Sequence, residues 1–150
     1  MKKTVWLILV VSVIAILVWV GYPTEKRRLK SDIQSIRKAM ENESADKVIG
    51  YIDFDYGDAN NLSYDEIVAV ITRFFAEVDS IRVQMGGMEM SIDSTGKEKV
   101  IFASCSLGVR VFARYEGERV LAYGGIVKPS TVRARLRKAD SKYKIYYAEY

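Results

Sequence analysis

A change of hydrophobic period near Asp79 is the feature that most constrains how this 150-residue chain can fold. Before this point apolar residues recur every three or four positions, and after it they alternate with polar residues. The first pattern predicts helices, and the second predicts half-buried strands. Helices that precede a run of strands indicate an α+β domain, with helices packed on one face of an antiparallel sheet.

Three helices are predicted before the change of period. The first covers residues 24–43, with apolar residues at spacings of four, three and four. The second covers residues 44–52 and has Ser44 as its N-cap. The third begins at Ser63, where Glu66 completes a capping box, and its apolar face is expected to belong to the core.

Four antiparallel strands are predicted after the helices, joined by the tight turns "DSTGK", "EGE" and "ADSK". The phase of alternation shifts at Gly86-Gly87 in the first strand, which predicts a bulge or bend there. The third strand is interrupted near "YGGIVKPS". The expected strands cover residues 80–93, 98–115, 119–138 and 142–150.

The N-terminal segment "MKKTVWLILVVSVIAILVWVGYP" carries no charge from Thr4 to Tyr22. As a helix these 19 residues would extend about 28 Å, which matches the hydrocarbon thickness of a bilayer. Aromatic residues lie near both ends of the run, as in an interfacial belt. The sequence therefore predicts a single-pass transmembrane anchor over residues 1–23, followed by a juxtamembrane helix over residues 24–43 that continues into the domain.

A cleaved signal peptide is the alternative for this segment, but cleavage needs small residues, and Trp19 occupies the best site. Basic residues on both sides of the anchor leave its orientation open. The three-residue leader favours an extracytoplasmic domain at the cell membrane. The basic residues after the span are expected to contact anionic lipid head groups: Lys26, Arg27, Arg28 and Lys30.

The chain contains no histidine, which excludes Ser-His and Cys-His nucleophile pairs and histidine metal sites. Any general base would have to be a carboxylate, a lysine or a tyrosine with a shifted pKa. The single cysteine, Cys105, lies in an alternating apolar run and is predicted to be a buried thiol. No cofactor is predicted.

The stretch "YIDFDYGDANN", residues 51–61, is the most site-like segment of the chain. A calcium loop starting at Asp53 would have Gly57 at its fifth position and Tyr64 at its twelfth. A loop starting at Asp55 would place Glu66 correctly but lacks oxygen ligands at two earlier positions. Neither register provides the ligands, so no metal site is predicted.

Two other interpretations of this stretch remain open. Asp53 or Asp55 could supply a base and Tyr51 or Tyr56 a proton donor at the mouth of a pocket. The simpler interpretation is a connection between two helices, in which Asp58 and the following asparagines form the turn before the third helix.

Charge is divided along the chain, with a net charge of −7 for residues 44–93 and +7 for residues 94–150. Strand alternation places five residues on the outer face of the sheet: Arg110, Phe112, Arg114, Arg133 and Arg135. Three interpretations of this face remain open: a merely solvated face, an interface with a protein partner, which could be an acidic protein or a second copy of the chain, and a surface for nucleic acid or anionic lipid. The zero net charge of the domain argues against nucleic acid.

The order of these elements resembles the nuclear transport factor 2-like superfamily over residues 30–150. The resemblance rests on the helix pair before "YIDFDY", the helix "SYDEIVAVITRFFAE", the Gly86-Gly87 bend and the closing "ADSKYKIYYAEY". It implies that residues 44–150 form a cone, in which three helices pack on a curved four-stranded antiparallel sheet that often encloses a pocket. Members include isomerases, dehydratases and non-catalytic assembly domains, and some membrane-tethered members look like scaffolding parts of envelope machines.

The sequence thus predicts a membrane-anchored, non-catalytic binding or assembly domain of the cell envelope. The alternative is a small-ligand carrier, or an isomerase-like or dehydratase-like enzyme that uses the cavity of the cone. The isomerase members use an aspartate base and a tyrosine donor, but no motif in this chain transfers these roles to particular positions. An open pocket that contains a carboxylate with a raised pKa would favour the enzyme.

Overall fold

The computed structural model describes residues 24–95 and 100–150, together with residues 11, 12 and 16. Apart from residues 11, 12 and 16, the predicted transmembrane anchor, residues 1–23, lies outside the described residues. Every helix among the described residues is too short or too polar to cross a membrane. The helices after Thr24 are α1 (Glu25–Glu41), α2 (Ala45–Ile49) and α3 (Tyr64–Glu77). The strands are β1 (Ile52–Asp58), β2 (Val78–Thr95), β3 (Ile101–Tyr115), β4 (Glu118–Tyr123), β5 (Ser130–Ala139) and β6 (Lys142–Glu149).

The sheet has six strands in the order β1-β6-β5-β3-β2, with β4 also paired to β3. The prediction of four antiparallel strands is therefore wrong. The expected third strand is two strands, because the chain turns away from the sheet between Tyr123 and Ser130. Gly124 has φ +94°, and a Cβ at this position would lie 2.6 Å from the carbonyl oxygen of Val109. Both β4 and β5 then pair with β3, at opposite ends of its length.

The second departure is β1, which pairs in parallel with β6 and makes the sheet mixed. The interpretation of this stretch as a connection between two helices is therefore wrong for Ile52–Asp58, whose buried residues do not alternate simply. Ile52, Asp53 and Tyr56 are all buried, whereas Phe54 between them is 74% exposed. Only the final part of the stretch, after Asp58, is the predicted turn.

The bulge predicted at Gly86-Gly87 is confirmed. The register of β2 against β3 shifts between Gly86 and Glu89, and Gly87 has φ +60°. The extra residue reverses the phase of alternation. It therefore keeps the apolar residues of both halves of β2 on the inner face, including Val83 before the bulge and Met90 after it.

Helix α1 crosses the inner face of the sheet and is fixed at both ends. At its start, Glu25 accepts hydrogen bonds from the Nζ of Lys138 at 2.9 Å and the hydroxyl of Tyr143 at 2.7 Å. At its last residue and just past it, the carboxylates of Glu41 and Glu43 accept hydrogen bonds from backbone N–H groups of β2. The main core cluster contains Leu29 of this helix together with Leu136 of β5 and Tyr143 of β6.

Helix α3 begins as predicted, with a capping box in which the backbone N–H of Ser63 donates to Glu66 Oε2 at 2.8 Å. The prediction that its apolar face belongs to the core holds in part: no residue of α3 is fully buried, but Ile67, Ile71, Phe74 and Phe75 pack against core clusters. These apolar side chains also line a cavity between the helix and the sheet.

Candidate functional site

The carboxylates of Asp53 and Asp55 both bind Arg137, which reaches them from β5. Nε of Arg137 lies 2.7 Å from Asp53 Oδ2, and Nη2 lies 2.5 Å from Asp53 Oδ1 and 2.6 Å from Asp55 Oδ2. The backbone N–H of Asp55 also donates to Asp53 Oδ1 at 3.0 Å. This arrangement is a bidentate ion pair that connects two strands.

Ion pairing determines the protonation state of Asp53. Burial alone would raise the pKa of this carboxyl group, but the hydrogen bonds from Arg137 and from the backbone of Asp55 outweigh burial and lower the pKa below its usual value. A general base at neutral pH needs the opposite shift. Asp53 therefore has a structural role in this geometry, and Asp55 binds the same guanidinium. The ring of Tyr51 lies elsewhere, in contact with the ammonium group of Lys142 at 5.2 Å.

Asp58 organises the turn after β1. Its carboxylate accepts hydrogen bonds from the backbone N–H groups of Asn60 and Leu62 and from the hydroxyls of Tyr56 and Tyr150. Although burial acts in the opposite direction, these donors lower the pKa of Asp58. Burial and the neighbouring carboxylate raise the pKa of Tyr56, so its hydroxyl stays protonated and serves as a hydrogen-bond donor.

An apolar cavity of about 450 Å³ lies between α3 and the inner face of the sheet. The described residues that line it include no Asp, Glu, Lys or Arg. Val70 and Tyr150 belong to the lining and are each about half exposed, so the cavity is open to solvent on that side. It has the size of a small-molecule pocket, but it does not contain the carboxylate with a raised pKa that the enzyme hypothesis requires.

Few polar groups reach this cavity. The hydroxyl of Tyr123 is buried and has no hydrogen-bond partner among the described residues, and burial raises its pKa. Cys105 is a buried free thiol, as predicted, and burial raises its pKa to about 11. Within the described part of the chain, no group of three or more Cys, Asp or Glu residues could hold a metal ion.

The residues predicted to form a partner surface do lie on the outer face of the sheet, but they form two separate groups. Arg110, Phe112 and Arg114 are on the half of β3 that pairs with β4, and Arg119 stacks on Phe112 at 5.1 Å. Nε of Arg110 is buried and lacks a hydrogen-bond partner in the described part of the structure. None of these three residues lines the depression that contains the arginines of β5.

The second group is Arg133 and Arg135 of β5. They line a depression of about 550 Å³ on the outer face, which we term the polar trough. Two cross-strand rows of side chains form it, running over β2, β3, β5 and β6. One row is Glu89, Ser106, Arg133 and Glu149, and the other is Ser91, Ser104, Arg135 and Tyr147. Short serines make its floor, and long side chains make its walls.

The side chains of the polar trough are only loosely held within the chain. Arg133 Nη1 lies 3.7 Å from Glu149 Oε2, and these side chains are 71% and 44% exposed. Arg135 stacks on the ring of Tyr147 at 5.5 Å. On the floor, the hydroxyls of Ser91 and Ser104 are 2.8 Å apart and both bind Asp93.

Sequence reasoning found the two arginines of the polar trough but missed its other members and the role of Arg137. Strand parity places Arg137 on the outer face. It does not show that β1 pairs with the far side of β6, where Asp53 and Asp55 come within reach of Arg137. Ser104 and Ser106 alternate with apolar residues in the sequence, and this alternation predicts that they lie on the outer face of the sheet. Their alignment with the arginines depends on register, and a single strand does not reveal it.

The predicted membrane-surface residues lie on the first turns of α1. Lys26, Arg27 and Lys30 are exposed, whereas Arg28 is half-buried and pairs with Glu25 at 3.4 Å. Three of the four basic residues are thus accessible to solvent in the folded domain.

Comparison with solved structures identifies the fold. The cell-shape-determining protein Pgp2 of Campylobacter jejuni, as its K307A mutant, matches with a TM-score of 0.61 and 11% identity, over 79% of this chain and 38% of that one. A candidate scytalone dehydratase from Novosphingobium aromaticivorans matches with a TM-score of 0.61 and 12% identity, over 83% of this chain and 81% of that one. A designed nuclear transport factor 2-like chain matches at 0.53 and 11% identity, over 85% and 99%.

These neighbours establish that the chain has the α+β fold of nuclear transport factor 2-like proteins. The chain spans about two fifths of the length of the first solved structures that it matches. No protein-family model matches the sequence, and comparison with curated proteins finds no match. At these identities the likeness extends to the fold alone.

Proposed function

We propose that the chain is a membrane-anchored, non-catalytic domain of the cell envelope that binds a protein partner through the outer face of its sheet. The observation that carries this proposal is the polar trough, which presents exposed guanidinium groups, carboxylates and an aromatic ring on one surface. Arginine and tyrosine are enriched at protein interfaces, and they often provide most of the binding energy.

The structural contacts of the candidate catalytic residues support the same proposal. Asp53 and Asp55 are engaged by Arg137, and Tyr56 is a hydrogen-bond donor to Asp58. The resemblance to envelope scaffolding parts, and the cell-shape protein among the structural neighbours, are further support by likeness only.

Site-specific photo-crosslinking tests the partner surface in cells. A photoreactive benzoylphenylalanine at Ser106 should give a crosslinked product of defined mass, because this position lies on the floor of the polar trough. The same residue at Ser141, in the exposed turn between β5 and β6, is the matched control. Equal crosslinking at both positions, or none at either, would contradict a partner surface on the outer face.

Membrane anchoring through residues 1–23 and an extracytoplasmic domain are part of the proposal. The exposed positions of Lys26, Arg27 and Lys30 support contact of the first turns of α1 with anionic head groups. A Cys105→Ala, Ser141→Cys chain should remain with the membrane after carbonate extraction and react with an impermeant maleimide in intact cells. Labelling only after the cells are opened would place the domain in the cytoplasm.

A second candidate function is carriage of a small apolar ligand, which the open cavity beneath α3 favours. Filling an exposed apolar lining removes it from water and is favourable by about 25 cal/mol per Å². The Tyr123 hydroxyl, which has no partner among the described residues, favours a ligand that carries one hydrogen-bonding oxygen.

The ligand hypothesis can be tested with an apolar fluorescent probe. Val70→Trp should lower the affinity for N-phenylnaphthylamine, because Val70 lines the cavity where it is open. Ala69→Trp is the matched control, since Ala69 is exposed on the same helix and does not line the cavity. Equal probe binding by both variants and the wild type would argue against the cavity as a binding site.

A further inference from the structure

A depression of about 490 Å³ lies on the helical side of the domain, between the end of α1, α2 and the start of β6. Three lysines line it, and each comes from a different element. Lys38 is in the last turn of α1, Lys47 is in α2, and Lys142 is the first residue of β6. All three are exposed. We term this depression the lysine cleft.

The ammonium groups of the lysine cleft lack anionic partners. Among the described residues, no carboxylate forms an ion pair with Lys38, Lys47 or Lys142. Asp46 is the one acidic residue among the described residues of the lining, and it is exposed. The lining therefore has an excess of two positive charges.

The carboxyl end of α1 borders the cleft, and free carbonyls at such an end would repel an anion. Here these carbonyls are occupied. The backbone N–H groups that follow the helix donate to three of them, in the pairs Asn42 to Lys38, Glu43 to Met40 and Ser44 to Ala39. The ammonium groups are thus the main charges that a ligand in the cleft would meet.

The lining also provides contacts for the uncharged part of a ligand. The ring of Tyr51 is buried, and the ammonium group of Lys142 lies over it at 5.2 Å, which holds this charge at the cleft. The side-chain amide of Asn42 is exposed and makes no hydrogen bond within the described part of the chain. Ammonium and amide groups are both donors to phosphate oxygens.

We propose that the lysine cleft binds a phosphate monoester, carried either by the headgroup of an anionic lipid or by a soluble phosphate ester. The excess of two positive charges matches the charge of a phosphate monoester near neutral pH. The depression is larger than one phosphate group and leaves room for the esterified alcohol. The site lies away from the outer face of the sheet, so this inference goes beyond the proposed function.

The position of the cleft on α1 favours the lipid source. Arg27 and Lys38 are eleven residues apart, which is about three helical turns, so they lie on the same side of α1 at a separation of about 16 Å. Lys26 and Lys30 are exposed on the first turns of this helix. If α1 lies along the membrane, the first turns and the cleft both reach anionic head groups.

Native mass spectrometry of the full chain in maltoside micelles tests the site. Phosphatidic acid carries a phosphate monoester on a lipid, and glycerol phosphate carries one in solution. Phosphatidylcholine and glycerol are the matched probes without net negative charge. We expect the triple variant K38Q/K47Q/K142Q to bind phosphatidic acid at least about tenfold more weakly than wild type. The anchor and the first turns of α1 are unchanged, so the difference reports on the cleft.

Two matched variants separate the site from a general effect of charge. K38R/K47R/K142R keeps the three charges and should bind like wild type. R82Q/R114Q/K128Q removes as many charges from exposed residues outside the cleft and should also bind like wild type. Circular dichroism checks folding, and Lys47→Gln alone, with an expected loss of about threefold, replaces the triple glutamine variant if that variant does not fold.

The two phosphate probes distinguish the sources. Binding of phosphatidic acid without glycerol phosphate supports a lipid headgroup, and comparable binding of both supports a soluble ester. A glutamine variant that binds as tightly as wild type would overturn the inference. An equal loss in R82Q/R114Q/K128Q, or a wild type that binds neither phosphate probe, would also overturn it. None of these results changes crosslinking at Ser106, which tests the proposed function separately.

Discussion

Arg137 binds both Asp53 and Asp55 and thereby joins β5 to β1 across the strand that lies between them. The contact holds the edge strand β1, which pairs with β6 in an irregular register. Asp53 is 2% exposed, and Arg137 is the ion-pair partner of its buried carboxylate. The residues that look most catalytic in the sequence therefore hold the sheet together.

Removing this guanidinium should destabilise the domain strongly. We expect Arg137→Gln to lower the free energy of unfolding by about 2–4 kcal/mol, because it leaves a buried carboxylate without its ion partner. Urea unfolding followed by circular dichroism measures the change. Arg114→Gln, an exposed arginine on the same face, should change it by less than about 0.5 kcal/mol. Similar effects of the two substitutions would contradict the assigned role of Arg137.

Stability should fall in acid, because the pKa values of Asp53 and Asp58 are lower in the folded than in the unfolded protein. Such groups stabilise the fold above their unfolded pKa of about 3.9, and this contribution is lost as the pH falls through the folded value. Urea unfolding between pH 7 and pH 2 should therefore show a loss that begins near pH 4. Asp53→Asn should flatten this part of the curve, and an unchanged slope would show that Asp53 does not contribute.

The thiol of Cys105 should resist alkylation in the folded protein. Burial raises its pKa to about 11, so little thiolate exists at pH 8, and the side chain is not accessible. We expect iodoacetamide to react at least about a hundredfold more slowly with the native chain than with the chain in urea. A Cys105→Ala, Ser141→Cys chain provides an exposed reference, and a native Cys105 that reacts as fast as this reference would contradict burial.

Gly124 should not tolerate a side chain. A Cβ there would approach the carbonyl oxygen of Val109 to 2.6 Å, and the backbone has a φ that other residues rarely adopt. We expect Gly124→Ala to cost about 1–3 kcal/mol of unfolding free energy. Gly57→Ala is the control, because nothing lies within 4 Å of its Cβ position. If both substitutions cost the same, the close approach at Gly124 does not constrain the chain.

Local signals in the sequence were sufficient for several elements. The capping box of Ser63 and Glu66 specifies the start of α3, since both hydrogen bonds form within four residues. The glycine pair marks the bulge in β2, because only the phase of alternation on either side is needed to see it. Burial of Cys105 follows from its place in an apolar, alternating run.

The α+β class and the outer position of the arginines were determined by the sequence alone, because helical and strand periods are properties of neighbouring residues. Only the tertiary structure decided which residues meet. Pairing of β1 with β6 converted two apparent catalytic aspartates into partners of Arg137, which is more than 80 residues away in the chain. The register across β2, β3 and β5 likewise aligned Glu89, Ser106 and Arg133. These contacts depend on the relative position of distant strands, and no local pattern encodes that position.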